Sequence, residues 1–117
     1  HYNVQLLEKI ARAFNRRFYN EAAGYYGMGS QACQAIPLVL GLVPSDRISP
    51  AVRQLMRDIE VENGTYLSTG NLATRYVLEV LSDYGHVDLA WALVIQRSYP
   101  SWGFMLNHGA TTIWERW

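Results

Sequence analysis

Ser30-Gln-Ala-Cys-Gln-Ala-Ile-Pro-Leu-Val-Leu-Gly-Leu42 runs without a single charged residue. Ser30 is a good N-cap, and the stretch behind it predicts a helix from Gln31 to about Leu42. A helix that is apolar nearly all round is covered nearly all round, so this one belongs inside the fold. Pro37 predicts a kink near Cys33, and Gly41 and Pro44 predict the stop. Cys33 reads as a small buried apolar side chain. The apolar run Ala35 to Val43 is too short to span a bilayer, and Pro37 interrupts it.

The segments on either side read differently. Asn3 predicts a cap for a first helix to about Tyr19, with Leu7, Ile10, Ala11, Phe14 and Phe18 on one face and Glu8, Lys9, Arg12, Arg16 and Arg17 mostly elsewhere. Asn20 to Gly29 follows as a glycine-rich loop. Ser49 as cap and Pro50 at the first helical position predict a third helix to about Glu62, with Val52, Leu55, Met56 and Ile59 as its stripe. Both are amphipathic, as outer helices are. Asn63-Gly64 marks a turn in a loop that reaches Gly70. The same Asn63-Gly64-Thr65 matches a glycosylation acceptor, but the turn reading is favoured. Asn71 predicts the cap of a fourth helix, with Ala73, Tyr76, Val77, Val80, Leu81 and Tyr84 inward, ended by Gly85. A fifth runs from Val87 to about Arg97, with Asp88 at its positive end.

Long loops follow helices one, three and five, and short ones follow two and four. Antiparallel neighbours then carry every long loop at one end, which is where function should sit. Tyr25, Gly29 and Leu40 recur as Tyr66, Gly70 and Leu81, a spacing of about forty residues. Two helices per repeat mean an α-solenoid or an α/α toroid. The charge-free helix favours the toroid.

Composition narrows the function. Ten basic and ten acidic residues cancel, and there is no basic stripe, so nucleic acid is an unsuitable partner. A single cysteine excludes an internal disulfide and leaves the compartment open. No metal-ligand spacing is present, and no cofactor is implied. The chain begins at His1 without methionine and stops at Trp117 without a polar tail. The expectation is that residues 1–117 are one piece of a longer polypeptide, truncated at both ends.

The chemistry concentrates in Tyr99-Pro-Ser-Trp-Gly-Phe-Met-Leu-Asn-His-Gly-Ala-Thr-Thr-Ile-Trp-Glu-Arg-Trp117. Gly103 and Gly109 are expected to break any helix there. Trp102, Trp114 and Trp117 crowd around one carboxylate, Glu115, with Thr111, Thr112 and Arg116 beside it. Flat indoles suit the apolar faces of a sugar, and a carboxylate can take a proton from water. The plain alternative is that the indoles pack between helices and Glu115 pairs with Arg116. His108 is a candidate for a sugar hydroxyl, or for a hydrogen bond that shapes the loop. Tyr25, Tyr26 and Tyr66 rim the site or fill the core. His86 reads as structural.

Tyr99-Pro-Ser-Trp-Gly-Phe-Met105 and Gly109-Ala-Thr-Thr-Ile-Trp-Glu-Arg-Trp117 closely resemble the C-terminal part of the catalytic domain of bacterial and fungal α-L-rhamnosidases, glycoside hydrolase family 78. Thr69-Gly-Asn-Leu-Ala-Thr-Arg-Tyr76, Leu81-Ser-Asp-Tyr-Gly-His86, Gly29-Ser-Gln-Ala-Cys-Gln-Ala35 and Gly41-Leu-Val-Pro44 resemble it too, so the likeness covers nearly the whole chain. It implies an all-α fold, part of an (α/α)6 barrel of the six-hairpin glycosidase type with alternating inner and outer antiparallel helices. It implies hydrolysis of terminal α-L-rhamnose from a glycoside or polysaccharide with inversion. Glu115 would be the general base, Trp102, Trp114, Trp117 and His108 would contact the sugar, and the remainder of the catalytic domain would be the partner. An inverting site needs a second carboxyl group roughly 6.5–9.5 Å away. The family's carboxylate-rich acid motif has no match here, and Glu8, Glu21, Asp58, Glu79 and Asp88 lack its context. The chain alone is expected to be inactive. A helical-repeat binding module without catalysis, and an α/α-barrel glycosidase for another sugar, are the alternatives.

Overall fold

A computed structural model describes residues 2–117; His1 and the expected chain start lie outside the described residues. The elements are α1 (Tyr2–Phe18), β1 (Tyr19–Asn20), β2 (Tyr25–Tyr26), α2 (Gln31–Val39), α3 (Ser45–Arg57) running into a π-helical turn (Asp58–Glu62), α4 (Asn71–Asp83), α5 (Val87–Val94) and α6 (Trp102–Asn107). The charge-free helix is central, with α3 on one side and α4 on the other, and α5 packs on α4. Ala35 and Leu38 of α2 meet Ala51, Val52 and Leu55 of α3 and Val77, Val80 and Leu81 of α4 in one buried cluster. So α2 and α4 form the inner layer, and the charged faces of α3 look outward.

α2 ends earlier than its hydropathy suggests, at Val39. Gly41, at φ +67°, turns the chain, and its N–H donates to Leu38 O (3.2 Å) while Leu42 N–H donates to Pro37 O (3.0 Å). That pair of bonds closes the last carbonyls of the helix, and a glycine supplies the left-handed residue at no steric cost. The helix continues through Pro37 before stopping.

Several expected starts move. Asn3 lies inside α1, and Gly70 rather than Asn71 occupies the cap position of α4. α3 begins at Ser45 with Pro44 at its cap, so Ser49 and Pro50 lie within it. Ser49 Oγ instead accepts from Arg53 (2.6 Å). Asp46 in the first turn offers a negative charge to the positive end of the helix. α5 stops at Val94. The apolar stripe of α1 is also less covered than expected, since α1 has no buried residue and Leu7 remains 62% exposed. Only its C-terminal end reaches the core, through Phe14 against Phe18 (4.9 Å between ring centres) and Tyr26 (5.9 Å).

Part of the first loop is a two-stranded hairpin, with Tyr19 opposite Tyr26 and Asn20 opposite Tyr25. Tyr26 is 1% exposed, so it is a core residue and not part of a rim. Burial raises its phenol above the ordinary range.

The long loops are tied down by amide side chains. Gln34 accepts from Tyr26 N (3.0 Å) and donates to Tyr26 O (2.9 Å). Gln31 donates to Tyr66 O and accepts from Ser68 N, both at 3.0 Å. Gln54 donates to Gly29 O and Gln96 to Thr65 O, both at 2.9 Å. Asp58, whose carboxylate accepts from Asn63 Nδ2 (2.9 Å), has its carboxyl raised above the usual range chiefly by burial.

The last correction concerns α6. Gly103 does not break a helix; it sits inside one, and Ser101 Oγ caps it by accepting from Phe104 N (3.0 Å). A Cβ at position 103 would stand 2.3 Å from Gln96 O and 2.9 Å from Arg97 Cα. The glycine is there for close approach of two backbones. Gly103→Ala should therefore cost about 1–3 kcal/mol of stability, read from the urea midpoint, because the obstructing atoms are backbone and cannot swing away. A midpoint equal to that of the unaltered protein would refute the close approach.

Candidate functional site

After α6 the chain turns at Gly109 (φ +82°), where Gly109 N–H donates to Leu106 O (3.1 Å) and Ala110 N–H to Met105 O (3.0 Å). Residues 110–117 have no regular structure and return across the first turns of α4. Their fixed point is Trp117. Its indole N–H donates to Thr69 O at 2.7 Å, its ring meets Trp102 edge-on (5.5 Å, 71°), and it packs against the core. Thr69 is itself anchored. It is 4% exposed, and its hydroxyl bonds that of Thr74 (2.8 Å), which also donates to Gly70 O (2.9 Å).

Glu115 stands two residues before this anchor, on a cleft of about 250 Å³. Asn71, Thr74 and Arg75 of α4 form one wall, Trp102 and Met105 of α6 another, and the segment 113–117 the third. Glu115 is exposed and is the cleft's only carboxylate among the described residues. The ion pairs among those residues are Arg12–Glu8, Arg47–Glu21 and Arg57–Glu62, so Arg116 does not tie Glu115 up. An open carboxylate in an indole-walled cleft can accept a proton from a water held over a sugar ring.

The expected contact residues divide. Trp102, Trp114 and Trp117 all line the cleft with Glu115, each partly buried, and Trp114 also stands edge-on to Phe104 (6.5 Å). His108 is not on the cleft wall. Its Nδ1 bonds Phe104 O (2.8 Å) and its ring lies 4.0 Å from that of Phe104. A carbonyl only accepts, so Nδ1 carries a proton there. Thr111 and Thr112 line a neighbouring hollow with Trp102 and Ile113. Arg75, Asn71 and Thr74 enter the cleft without having been singled out from sequence. Two signals pointed to them without assigning a role: the first turns of α4 follow a long loop, and Thr69 to Tyr76 resembles the family. Among the described residues no group of three His, Cys, Asp or Glu side chains is placed to hold a metal ion, and no helix is long and apolar enough to cross a membrane.

Over residues 1–117 the sequence matches the family described as the bacterial alpha-L-rhamnosidase 6 hairpin glycosidase domain. The alpha-L-rhamnosidase of Streptomyces avermitilis is 38% identical over 114 residues, which are 97% of this chain and 11% of that protein. One from Formosa agariphila is 35% identical over 112 residues, 96% of this chain and 12% of that protein. The solved structure of alpha-L-rhamnosidase from Dictyoglumus thermophilum superposes with a TM-score of 0.92 at 42% identity, covering 99% of this chain and 13% of that one. The Streptomyces avermitilis enzyme complexed with L-rhamnose superposes with a TM-score of 0.90 at 37% identity, covering 97% and 11%. The inner and outer helices described above are thus part of a six-hairpin α/α barrel, and the chain spans 11–13% of the length of these relatives.

Trp117→Phe keeps one aromatic ring at the site but deletes the N–H that reaches Thr69, together with part of the ring surface that meets Trp102. The expected cost is about 1–3 kcal/mol, since the buried Thr69 carbonyl loses its donor, measured by urea denaturation. A variant as stable as the parent would show that the indole contact does not anchor the segment.

Proposed function

The chain belongs to the bacterial α-L-rhamnosidase six-hairpin glycosidase domain family, and from that premise we propose that it supplies the general base of an enzyme that removes terminal α-L-rhamnose by single displacement. The reading rests on one observation, an unpaired carboxylate held on an indole-walled cleft by the anchor two residues beyond it. Trp102, Trp114 and Trp117 offer apolar surface to the ring face and the C6 methyl of rhamnose.

Glu115 accepts a proton from water as the water oxygen bonds to the anomeric carbon. The bond from that carbon to the leaving oxygen breaks, and a carboxylic acid protonates the departing oxygen. Water must fit between base and sugar, which sets the two carboxyl groups roughly 6.5–9.5 Å apart. The acid comes from the opposite side of the sugar and from outside this chain, because no other carboxylate lines the cleft among the described residues. This chain alone is therefore inactive, and the remainder of the catalytic domain is its partner.

The test uses the full-length parent and an aryl α-L-rhamnoside. Glu115→Gln keeps shape and removes the base, so kcat should fall by about 10²–10⁴-fold or more with the helical circular dichroism unchanged. Near-normal turnover would remove Glu115 from the role. No turnover by the unaltered enzyme would remove rhamnose as the substrate.

A further inference from the structure

Gln31 opens α2, is 0% exposed and does not line the cleft. Its amide nevertheless leads there. Nε2 donates to Tyr66 O and Oε1 accepts from Ser68 N, a pair of 3.0 Å bonds that brackets the buried Leu67. The next residue is Thr69, whose carbonyl accepts the Trp117 indole at 2.7 Å. Glu115 lies two residues upstream of that indole. An amide side chain carries one strong acceptor and two donors, so it can serve a loop as a neighbouring strand would.

We infer that Gln31 is a positioning residue for Glu115, acting through the backbone of Tyr66 to Thr69 and through Trp117; the inference rests on Glu115 being the base. The loop has no sheet to hold it, and its register against α4 is set by these bonds. If the loop shifts, the Thr69 carbonyl shifts, and the carboxylate follows it. Displacement of about 1 Å in a reacting group is enough to cost a factor of about a hundred in rate.

Gln34 supplies the control. It is equally buried on the same helix and makes the same two-sided contact, but with Tyr26, which belongs to the hairpin after α1. Gln31 and Gln34 thus match in burial and in bonding one loop N–H and one loop C=O, Gln34 adding a longer bond to Ser30 O (3.3 Å), and they differ in which loop they hold.

The experiment compares Gln31→Met, Gln34→Met and Glu115→Gln in the full-length parent, with an aryl α-L-rhamnoside, below the unfolding temperature of each. Gln31→Met should lower kcat by about ten- to a hundredfold and raise KM by a smaller factor, since the shift reaches Glu115 and, through Trp117, one apolar contact to the sugar. Gln34→Met should lose comparable thermal stability and keep kcat within about twofold. Equal kcat in the two methionine variants overturns the inference, as does a Trp117→Phe variant with unaltered kcat. Should Gln31→Met fail to fold, Gln31→Asn, which keeps the amide but shortens its reach, takes its place with the same expectation. If neither folds while Gln34→Met does, Gln31 serves folding alone and the inference falls. An active Glu115→Gln removes the base itself. An inactive one beside matched Gln31→Met and Gln34→Met removes only the positioning role.

Discussion

Two amides on the buried face of α2 govern how this fold presents its loops. A loop drawn over a helix layer leaves backbone N–H and C=O groups without a ladder partner, and each buried one left unmade costs about 1–3 kcal/mol. Gln31 and Gln34 answer this by offering a donor and an acceptor from one uncharged side chain. A charged residue could not do so at 0% exposure without a large desolvation penalty. The absence of charge in α2 and the order of the long loops are thus one fact seen from two sides.

The loop that Gln31 holds ends at the cleft. The loop Asn63 to Gly70 receives Gln31 from α2, Gln96 from the segment after α5, and Trp117 from the C-terminal run. Three distant parts of the chain converge on one short stretch, and Glu115 rides on the last of them. A carboxylate on a segment without regular structure gains fixed placement this way, and the proton transfer proposed for Glu115 needs that more than it needs regular secondary structure.

The architecture was legible because its signals are local. A stretch without charges marks the inner helix, Gly41 and Gly85 mark the stops, and alternating loop lengths put the long connections at one end. Glu115 and the indoles could be singled out for the same reason, since they are neighbours in the chain. What stayed hidden depends on contacts between remote residues. Trp117 meets Thr69 across 48 positions, and Gln31 meets Ser68 across 37. Nothing in a glutamine's immediate surroundings says which backbone it will face. Gly103 misled because a glycine needed for close approach looks the same as one that breaks a helix; the Ser101 cap was the better clue. Ser49-Pro50 misled because Asp46 makes an equally good helix start one turn earlier.

A carboxylate that activates water leaves a different product from one that attacks the sugar itself. In the full-length parent, proton NMR of the first minutes of hydrolysis of an aryl α-L-rhamnoside separates the two before the released sugar equilibrates. β-L-Rhamnose as the initial anomer is the result expected of Glu115 acting through water. Initial release of the α anomer would contradict it and require a covalent intermediate.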